Sequence, residues 1–368
     1  MQKTKMTVFM AAIIGSISFH LLLQQHVYRS LYKVSSNKNA ELPVILYYEQ
    51  HPGQFFTTFN LSGICPYYCI FTGNRSLYNN SKAVIFFRTL STIPPKKGEN
   101  QLWIYFTFEP PTQIWLPKKG NPWQKSLNMF DWIMSYRPNS EILVPFGRLT
   151  QIPATKQVDL NYSLIYLNKD REVAWVVSHC ITDSRREMYV KELQKYIPVD
   201  VFGQCGAKLK ENKKSGQEKA LYLTKIKDII SKRYKFYLAF ENSLCTHYTS
   251  EKLYGIYTSD NLMIPVARGD PNISQSLPEG TFISTYNFSS PRDLAQYLKY
   301  VGSSEKRYIS YLKEKLKYTS DMWTDNYVTG ICHLCEKLQS NINVNTNIRM
   351  NLYHRLTEDR CFKPNDLK

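Results

Sequence analysis

Phe240 closes an apolar run, Phe236 to Phe240, and three polar residues follow at once: Glu241, Asn242 and Ser243. After a short loop, Tyr248-Thr249-Ser250-Glu251-Lys252-Leu253 has the composition of a helix start. Ser250 or Thr249 is placed to cap that helix by accepting a free backbone N–H. Ligands of open α/β sheets sit at the carboxyl ends of strands, beside helix N-termini that favour anions. A strand ending in a carboxylate and an amide, followed by a capped helix with a lysine, suits a sugar nucleotide carrying phosphate.

Other catalytic signatures are missing. The chain has no GxGxxG, no P-loop, no G-x-S-x-G, no H-E-x-x-H and no Asp-x-Asp pair. An acidic pair of that kind would hold a divalent metal against a diphosphate. Without it, Lys, Arg and backbone N–H groups must meet the phosphate charge. No metal site and no cofactor beyond a donor substrate is expected.

Such a site needs sheets to carry it. Pro43 to Tyr48, Ala83 to Phe87 and Leu102 to Phe106 read as buried strands. Pro94-Pro95 and Pro110-Pro111 punctuate them. Glu172 to Ser178 and Val199 to Gly203 are further strands, as are Leu262 to Val266 and Thr281 to Ile283. Arg185 to Tyr196, Glu218 to Arg233 and Pro291 to Leu298 have helical patterns, the last with proline in its first turn. This alternation predicts an α/β fold in two halves, residues 43–168 and 169–320, facing a cleft. A cysteine-bearing extension follows at 321–368.

The chain has 368 residues and a formal net charge of +17. The basic excess suits nucleic acid, anionic membrane or a phosphorylated substrate. With no RNP motif, zinc finger or long Lys/Arg block, no nucleic-acid partner is expected. Residues 6–23 form an uncharged apolar run, just long enough for a thin bilayer. They predict a transmembrane signal anchor between a cytoplasmic tail, 1–5, and a polar stem, 24–42. A cleaved signal peptide is the other reading, but the continuation Phe19-His20-Leu21-Leu22-Leu23 argues against an ordinary cleavage site. The rest of the chain is then lumenal.

All eight cysteines follow the apolar run, which fits disulfides in a lumenal protein. N-x-S/T sequons lie at Asn60, Asn74, Asn79, Asn161, Asn272 and Asn287. In a reducing compartment Cys332-x-x-Cys335, with His333, His354 or Cys361, would suit zinc. In the lumen a disulfide at Cys332 and Cys335 is expected.

Phe240-Glu241-Asn242-Ser243, Tyr248 and Glu251-Lys252 also resemble the donor motif of the α-1,3-fucosyltransferases, glycosyltransferase family 10: F-E-N-S-x-x-x-D-Y-[IV]-T-E-K. Four other blocks match in the same order. Phe130-Asp131-Trp132 through Tyr136-Arg137, Ser140 and Pro145-Phe146-Gly147 resembles F-N-W-T-M-x-Y-R-x-D-S-D-x-x-x-P-Y-G. Val176-Val177-Ser178 with Arg186 and Tyr189 resembles the V-S-N block. Ser290-Pro291, Leu294-Ala295 and Tyr297-Leu298 resemble S-P-x-x-L-A-x-Y-L, and Cys332-x-x-Cys335 a terminal C-x-x-C.

The resemblance implies a GT-B-like fold of two Rossmann-type domains in a single-pass type II Golgi membrane protein with its catalytic domain lumenal. It implies inverting, metal-independent transfer of fucose from GDP-fucose to O3 of an N-acetylglucosamine unit in a glycoprotein or glycolipid glycan. Asn242, Tyr248, Glu251 and Lys252 match donor-binding positions, and Arg186 matches an arginine that offsets charge on the leaving diphosphate. Glu109, in Phe108-Glu109-Pro110-Pro111, matches the glutamate of the family's E-S-P, the general base. The chain departs from the pattern at His247, where the family has Asp, at His179 for Asn, at Pro110 for Ser, and at Glu314 for an aromatic. His247 and Glu314 motivate a second reading, a catalytically impaired lumenal glycan- or nucleotide-binding relative.

Overall fold

Runs of β-branched and aromatic residues make the strands of a first sheet. They are β1 (Val44–Tyr47), β2 (Ile70–Thr72), β3 (Ala83–Phe87), β4 (Leu102–Thr107), β5 (Trp132–Ser135) and β6 (Ile142–Leu143). All pair in parallel, in the order β2-β1-β3-β4-β5-β6. A parallel sheet is covered on both faces, so its strands are apolar on both. Val84, Phe86, Trp103 and Tyr105 fill one side, and Ile85, Ile104, Phe106 and Met134 the other. The computed structural model describes residues 42–48, 65–87, 98, 100–114, 130–206, 229–321, 323–340, 352–357 and 361–367.

After β7 (Leu149–Gln151) and α1 (Tyr162–Leu167) comes the second sheet. It holds β8 (Arg171–Val176), β9 (Val199–Phe202), β10 (Tyr234–Phe240), β12 (Ile264–Arg268) and β13 (Ile283–Ser284). Their order is β13-β12-β10-β8-β9, again all parallel. Both sheets therefore run in one doubly wound order, second-first-third-fourth-fifth, and the first adds a sixth strand. Each has a switch point between its first and third strands, where ligands of such sheets bind. The helices α2 (Arg186–Leu193), α4 (Pro291–Gly302) and α5 (Glu305–Lys315) cover the second sheet. Between β10 and β12 lie a short β11 (Leu244–Cys245) and a one-turn α3 (Glu251–Tyr254).

The expectation of an α/β fold with parallel, Rossmann-type sheets holds, and three details of the structure stand beside it. First, α1, which precedes residue 168, sides with the second sheet. Helix α1 packs on the second core through Tyr162, Ile165 and Tyr166. The crossing is at β7, which pairs antiparallel with β14 (Tyr318–Ser320), so the chain enters and leaves the second domain side by side. Second, the extension returns to the first sheet. Helix α6 (Trp323–Gln339) lays Tyr327, Ile331, Leu334 and Leu338 against β4, β5 and β6, a stripe at helical spacing. A Cβ on Gly330 would come within 2.6 Å of Val144 Cγ2, so glycine is what lets α6 sit that close. A short α7 (Leu352–Thr357) and a strand β15 (Cys361–Phe362) follow.

Third, Cys332 and Cys335 do not bond each other. Cys335 is joined to Cys69, and the other disulfides are Cys180–Cys205 and Cys245–Cys361. Cβ atoms three residues apart on a helix are about 5–6 Å apart, too far for the roughly 3.5–4.5 Å that a disulfide needs. Both side chains instead face the segment before β2. The Cys332 thiol is pushed up to about 12 by burial and then by its hydrogen bond with Cys65. Among the described residues no cluster of His, Cys, Asp or Glu could hold a metal ion.

Residues 1–41, which include the expected tail, anchor and nearly all of the stem, lie outside the described residues. Among the described residues no helix is long and apolar enough to cross a membrane. Of the helix expected at 218–233, residues 229–233 are described and are helical. Asn60 is not described; Asn74, Asn79, Asn161, Asn272 and Asn287 are all exposed, as glycan attachment requires.

Candidate active site

The second domain's switch point lies between β8 and β10, and the expected donor residues gather at its carboxyl end. Glu241 continues β10 and is 2% exposed. Its carboxylate accepts from the Ser250 N–H at 2.7 Å and from Ser250 Oγ at 2.8 Å. Ser250 is the N-cap of α3, its hydroxyl accepting from the Lys252 N–H, so the expected cap is present. The Lys252 ammonium donates to Ser250 Oγ at 2.8 Å and pairs with Glu241 Oε2 at 3.1 Å and Glu251 Oε1 at 3.3 Å. Burial works against the Lys252 charge, but Glu241 and Glu251 outweigh it and hold its pKa above the ordinary value. The lysine is thus kept charged and held still. Helix α3 is one turn long, so its dipole adds little, and Lys252 carries the positive charge.

Asn242 and Arg186 complete the cradle. The Asn242 carbonyl accepts from the Ser184 N–H at 3.0 Å, which fixes the backbone. Its side-chain Oδ1 is buried with no hydrogen-bond partner. A buried acceptor left unmatched costs about 1–3 kcal/mol, which a ligand hydroxyl or N–H would recover. Arg186 opens α2, beside the switch point, and is 4% exposed. Its Nη1 donates to the Phe240 carbonyl at 2.6 Å and its Nη2 to that of His179 at 3.1 Å; Nε has no partner. Burial lowers its pKa and Glu241 opposes the shift. An arginine stays charged regardless, so it raises the local potential while its terminal nitrogens brace the loop.

The first domain brings Glu109 to the same place. β4 ends at Thr107, whose Oγ1 accepts from the Glu109 N–H at 3.0 Å. The following turn docks on the second domain. Thr112 and Ser243 hydroxyls are 2.6 Å apart, and Gln113 Nε2 donates to Asp183. Beneath them Tyr248 packs against Tyr136 and Phe146, with ring centroids 5.4 and 6.0 Å away. The Tyr248 hydroxyl is held well above its ordinary pKa by burial, then by Glu241, Glu109 and Glu251. Glu109 is therefore within electrostatic reach of the donor loop. Gly147 makes the contact possible: a Cβ there would lie 2.2 Å from Tyr254 Cγ.

Of the departures from the family pattern, Pro110 is buried beside Glu109 in the docking turn, whereas the side chains of His247, Glu314 and His179 lie outside these contacts. His247 is exposed, in a left-handed turn at φ +61°, a conformation that Asp, Asn and His tolerate better than most. Glu314 is a surface partner of Lys317, at 2.6 Å. His179 is exposed and offers only its carbonyl to Arg186. Two residues were not foreseen in working roles. Glu241 was visible in the motif, but its use as the anchor of Ser250 and Lys252 depends on the fold. Arg268, at the end of β12, is 1% exposed and donates to the Ser184 carbonyl; nothing in its sequence setting marks it.

Two doubly wound domains, with a carboxylate on one side of the cleft and a lysine, arginine and amide on the other, define an α/β transferase for an anionic donor. The profile described as "Glycosyltransferase family 10 (fucosyltransferase) C-term" matches residues 166–356, and "Fucosyltransferase, N-terminal" matches 40–147. The chain belongs to glycosyltransferase family 10, the fucosyltransferases. It is 28% identical over 303 residues to the Alpha-(1,3)-fucosyltransferase C of Drosophila melanogaster, covering 74% of this chain and 65% of the fly protein. It is 32% identical over 285 residues to the 4-galactosyl-N-acetylglucosaminide 3-alpha-L-fucosyltransferase FUT6 of Homo sapiens, covering 74% of this chain and 71% of the human one. A solved α1,3-fucosyltransferase with GDP is similar in fold, with TM-score 0.53 and 16% identity over 84% of this chain and 94% of that one.

Proposed function

We propose that the protein transfers fucose from GDP-fucose to O3 of an N-acetylglucosamine unit in a glycoprotein or glycolipid glycan, with inversion and without a metal. The observation that carries this reading is the docking of the turn that follows Glu109 on the donor loop, through Thr112 and Ser243, with Glu109 in electrostatic reach of Tyr248. Glu109 takes the proton from the acceptor O3, which attacks the fucose C1 as the bond to the β-phosphate oxygen breaks. GDP leaves into the field of Lys252 and Arg186. Asn242 Oδ1 and the Glu251 carboxylate accept from sugar or ribose hydroxyls, and Tyr248 forms the apolar floor. The names of the relatives, which specify 3-α-fucosyl transfer for the fly and human proteins and 4-α transfer for the FUT3 of Pan troglodytes, support fucosyl transfer to a GlcNAc hydroxyl.

The proposed setting is the Golgi membrane, single-pass type II, with the catalytic domains lumenal. The uncharged run at 6–23, three disulfides and five exposed sequons support it. The test is an acceptor panel with GDP-fucose: terminal N-acetyllactosamine, LacdiNAc and N-glycan core GlcNAc, each with chelator. The expected product on at least one acceptor carries an α-linked fucose at O3 by NMR. GDP binding without turnover on any acceptor would instead leave a nucleotide-binding relative.

A further inference from the structure

Residues 361–367 follow the stretch matched by the family profile, which ends at 356. They are nonetheless built into the donor loop. Cys361 is bonded to Cys245, and β15 pairs antiparallel with β11 in the register Leu244↔Phe362, Cys245↔Cys361. Cys245 opens the turn that presents Tyr248, whose N–H donates to the Cys245 carbonyl at 3.2 Å. At the other end, Asp366 Oδ1 accepts from Arg268 Nη2 at 2.7 Å, and Leu367 packs on the second-domain core.

Arg268 passes this grip to the site. Its guanidinium is buried over the Tyr189 ring, 4.7 Å from the centroid. Its Nη1 donates to the Ser184 carbonyl at 3.2 Å. Ser184 then donates from its N–H to the Asn242 carbonyl at 3.0 Å and from Oγ to the Glu241 carbonyl at 2.7 Å. The Glu241 N–H donates back to the Arg268 carbonyl at 2.8 Å. A buried guanidinium that loses its carboxylate is an uncompensated charge. The backbone it braces is the backbone that bears Glu241 and Asn242. Cys361 also touches the cluster of Tyr136, Phe146 and Tyr248 at the domain contact.

We propose that residues 361–367 form a strap that positions the donor loop for its nucleotide diphosphate. Asp366 and the Cys245–Cys361 bond are its positioning groups. The strap holds 244–245 covalently and 241–242 through Arg268 and Ser184, and none of its residues needs to touch the donor. The inference rests on the GDP-fucose reading above. Loss of a strap that acts on the donor side raises the donor KM and leaves the acceptor KM in place, which a general loss of stability would not do.

The experiment compares the full chain with Asp366→Ala, Asp366→Glu and the double variant Cys245→Ala/Cys361→Ala. GDP is titrated calorimetrically, and initial rates are taken against each substrate. The expected result is a GDP Kd and donor KM raised about tenfold, about 1.4 kcal/mol, in Asp366→Ala and in the double variant. Asp366→Glu should recover most of it, with the acceptor KM unchanged. Asp366→Asn, which keeps the shape and drops the charge, covers the case in which alanine unfolds the chain. Folded variants that bind GDP within about twofold of the wild type, whatever their Tm, would overturn the strap alone. A wild-type chain that binds no GDP would overturn the donor assignment and the strap with it.

Discussion

Lys252 shows how one side chain is prepared before a ligand arrives. Two carboxylates and a hydroxyl surround its ammonium, so the charge is fixed in place and little side-chain entropy remains to be lost on binding. Removing it as Lys252→Met should weaken GDP binding about 10- to 100-fold, the range for a charge-assisted hydrogen bond to phosphate, as read by calorimetry. Unchanged affinity would mean that another cation meets the diphosphate. Glu241 has a different part. It is buried behind the lysine and accepts from the Ser250 N–H and hydroxyl, so Glu241→Ala should lower the Tm as well as GDP affinity. At this scale the sequence was informative: Asn242, Tyr248, Glu251 and Lys252 are close in the chain, and their spacing survives in space. Arg268 and Ser184 were not legible, because their partners lie on elements far away in the chain.

Elements were legible where their signal is local. The strands at 44–47, 83–87, 102–107, 171–176 and 234–240 follow mostly apolar runs, and α4 begins at Pro291. Boundaries that depend on packing were less so. Helix α1 belongs with the second core because its tyrosines fit there, a fact with no counterpart in local pattern. Gly147 is a clear case of close approach between elements. Gly147→Ala would drive a methyl into the Tyr254 ring; the expected cost is about 1–3 kcal/mol, read as a lower denaturation midpoint. Helix α5 also carries a buried lysine. Lys315 donates to the Asn261 carbonyl and is pushed down to about 7, by burial and then by Lys169. The unfolded chain would hold that proton up to about pH 10.4. The cost of burying the charge is therefore full below pH 7 and falls as pH rises above it. Lys315→Met should show its greatest gain in Tm over the wild type near pH 6, with the gain shrinking by pH 9. A gain independent of pH would contradict this.

For the whole molecule, the chain visits the first domain, crosses at β7, builds the second, returns at β14, packs α6 on the first, and reaches the second again at β15. These returns are long-range and set by which surfaces fit, so sequence pattern alone assigned 321–368 to an extension. Cysteine pairing was opaque for the same reason. Cys69–Cys335 closes a loop of 266 residues, and such bonds stabilise chiefly by restricting the unfolded chain, by about 2–4 kcal/mol. Cys69→Ser/Cys335→Ser should therefore lower the denaturation midpoint without altering GDP affinity. An unchanged midpoint would mean the bond holds nothing that packing does not.

In the proposed mechanism the arrangement of domains serves one purpose: it sets Glu109, after the first sheet's β4, within electrostatic reach of Tyr248 in the second. The most direct measurement is fucose transfer by Glu109→Gln, with GDP affinity determined on the same preparation. Loss of a general base costs about 10²- to 10⁴-fold in rate, so kcat should fall by that much while the GDP Kd stays within about twofold. Transfer at the wild-type rate would contradict the assignment of Glu109 and with it the account of the cleft.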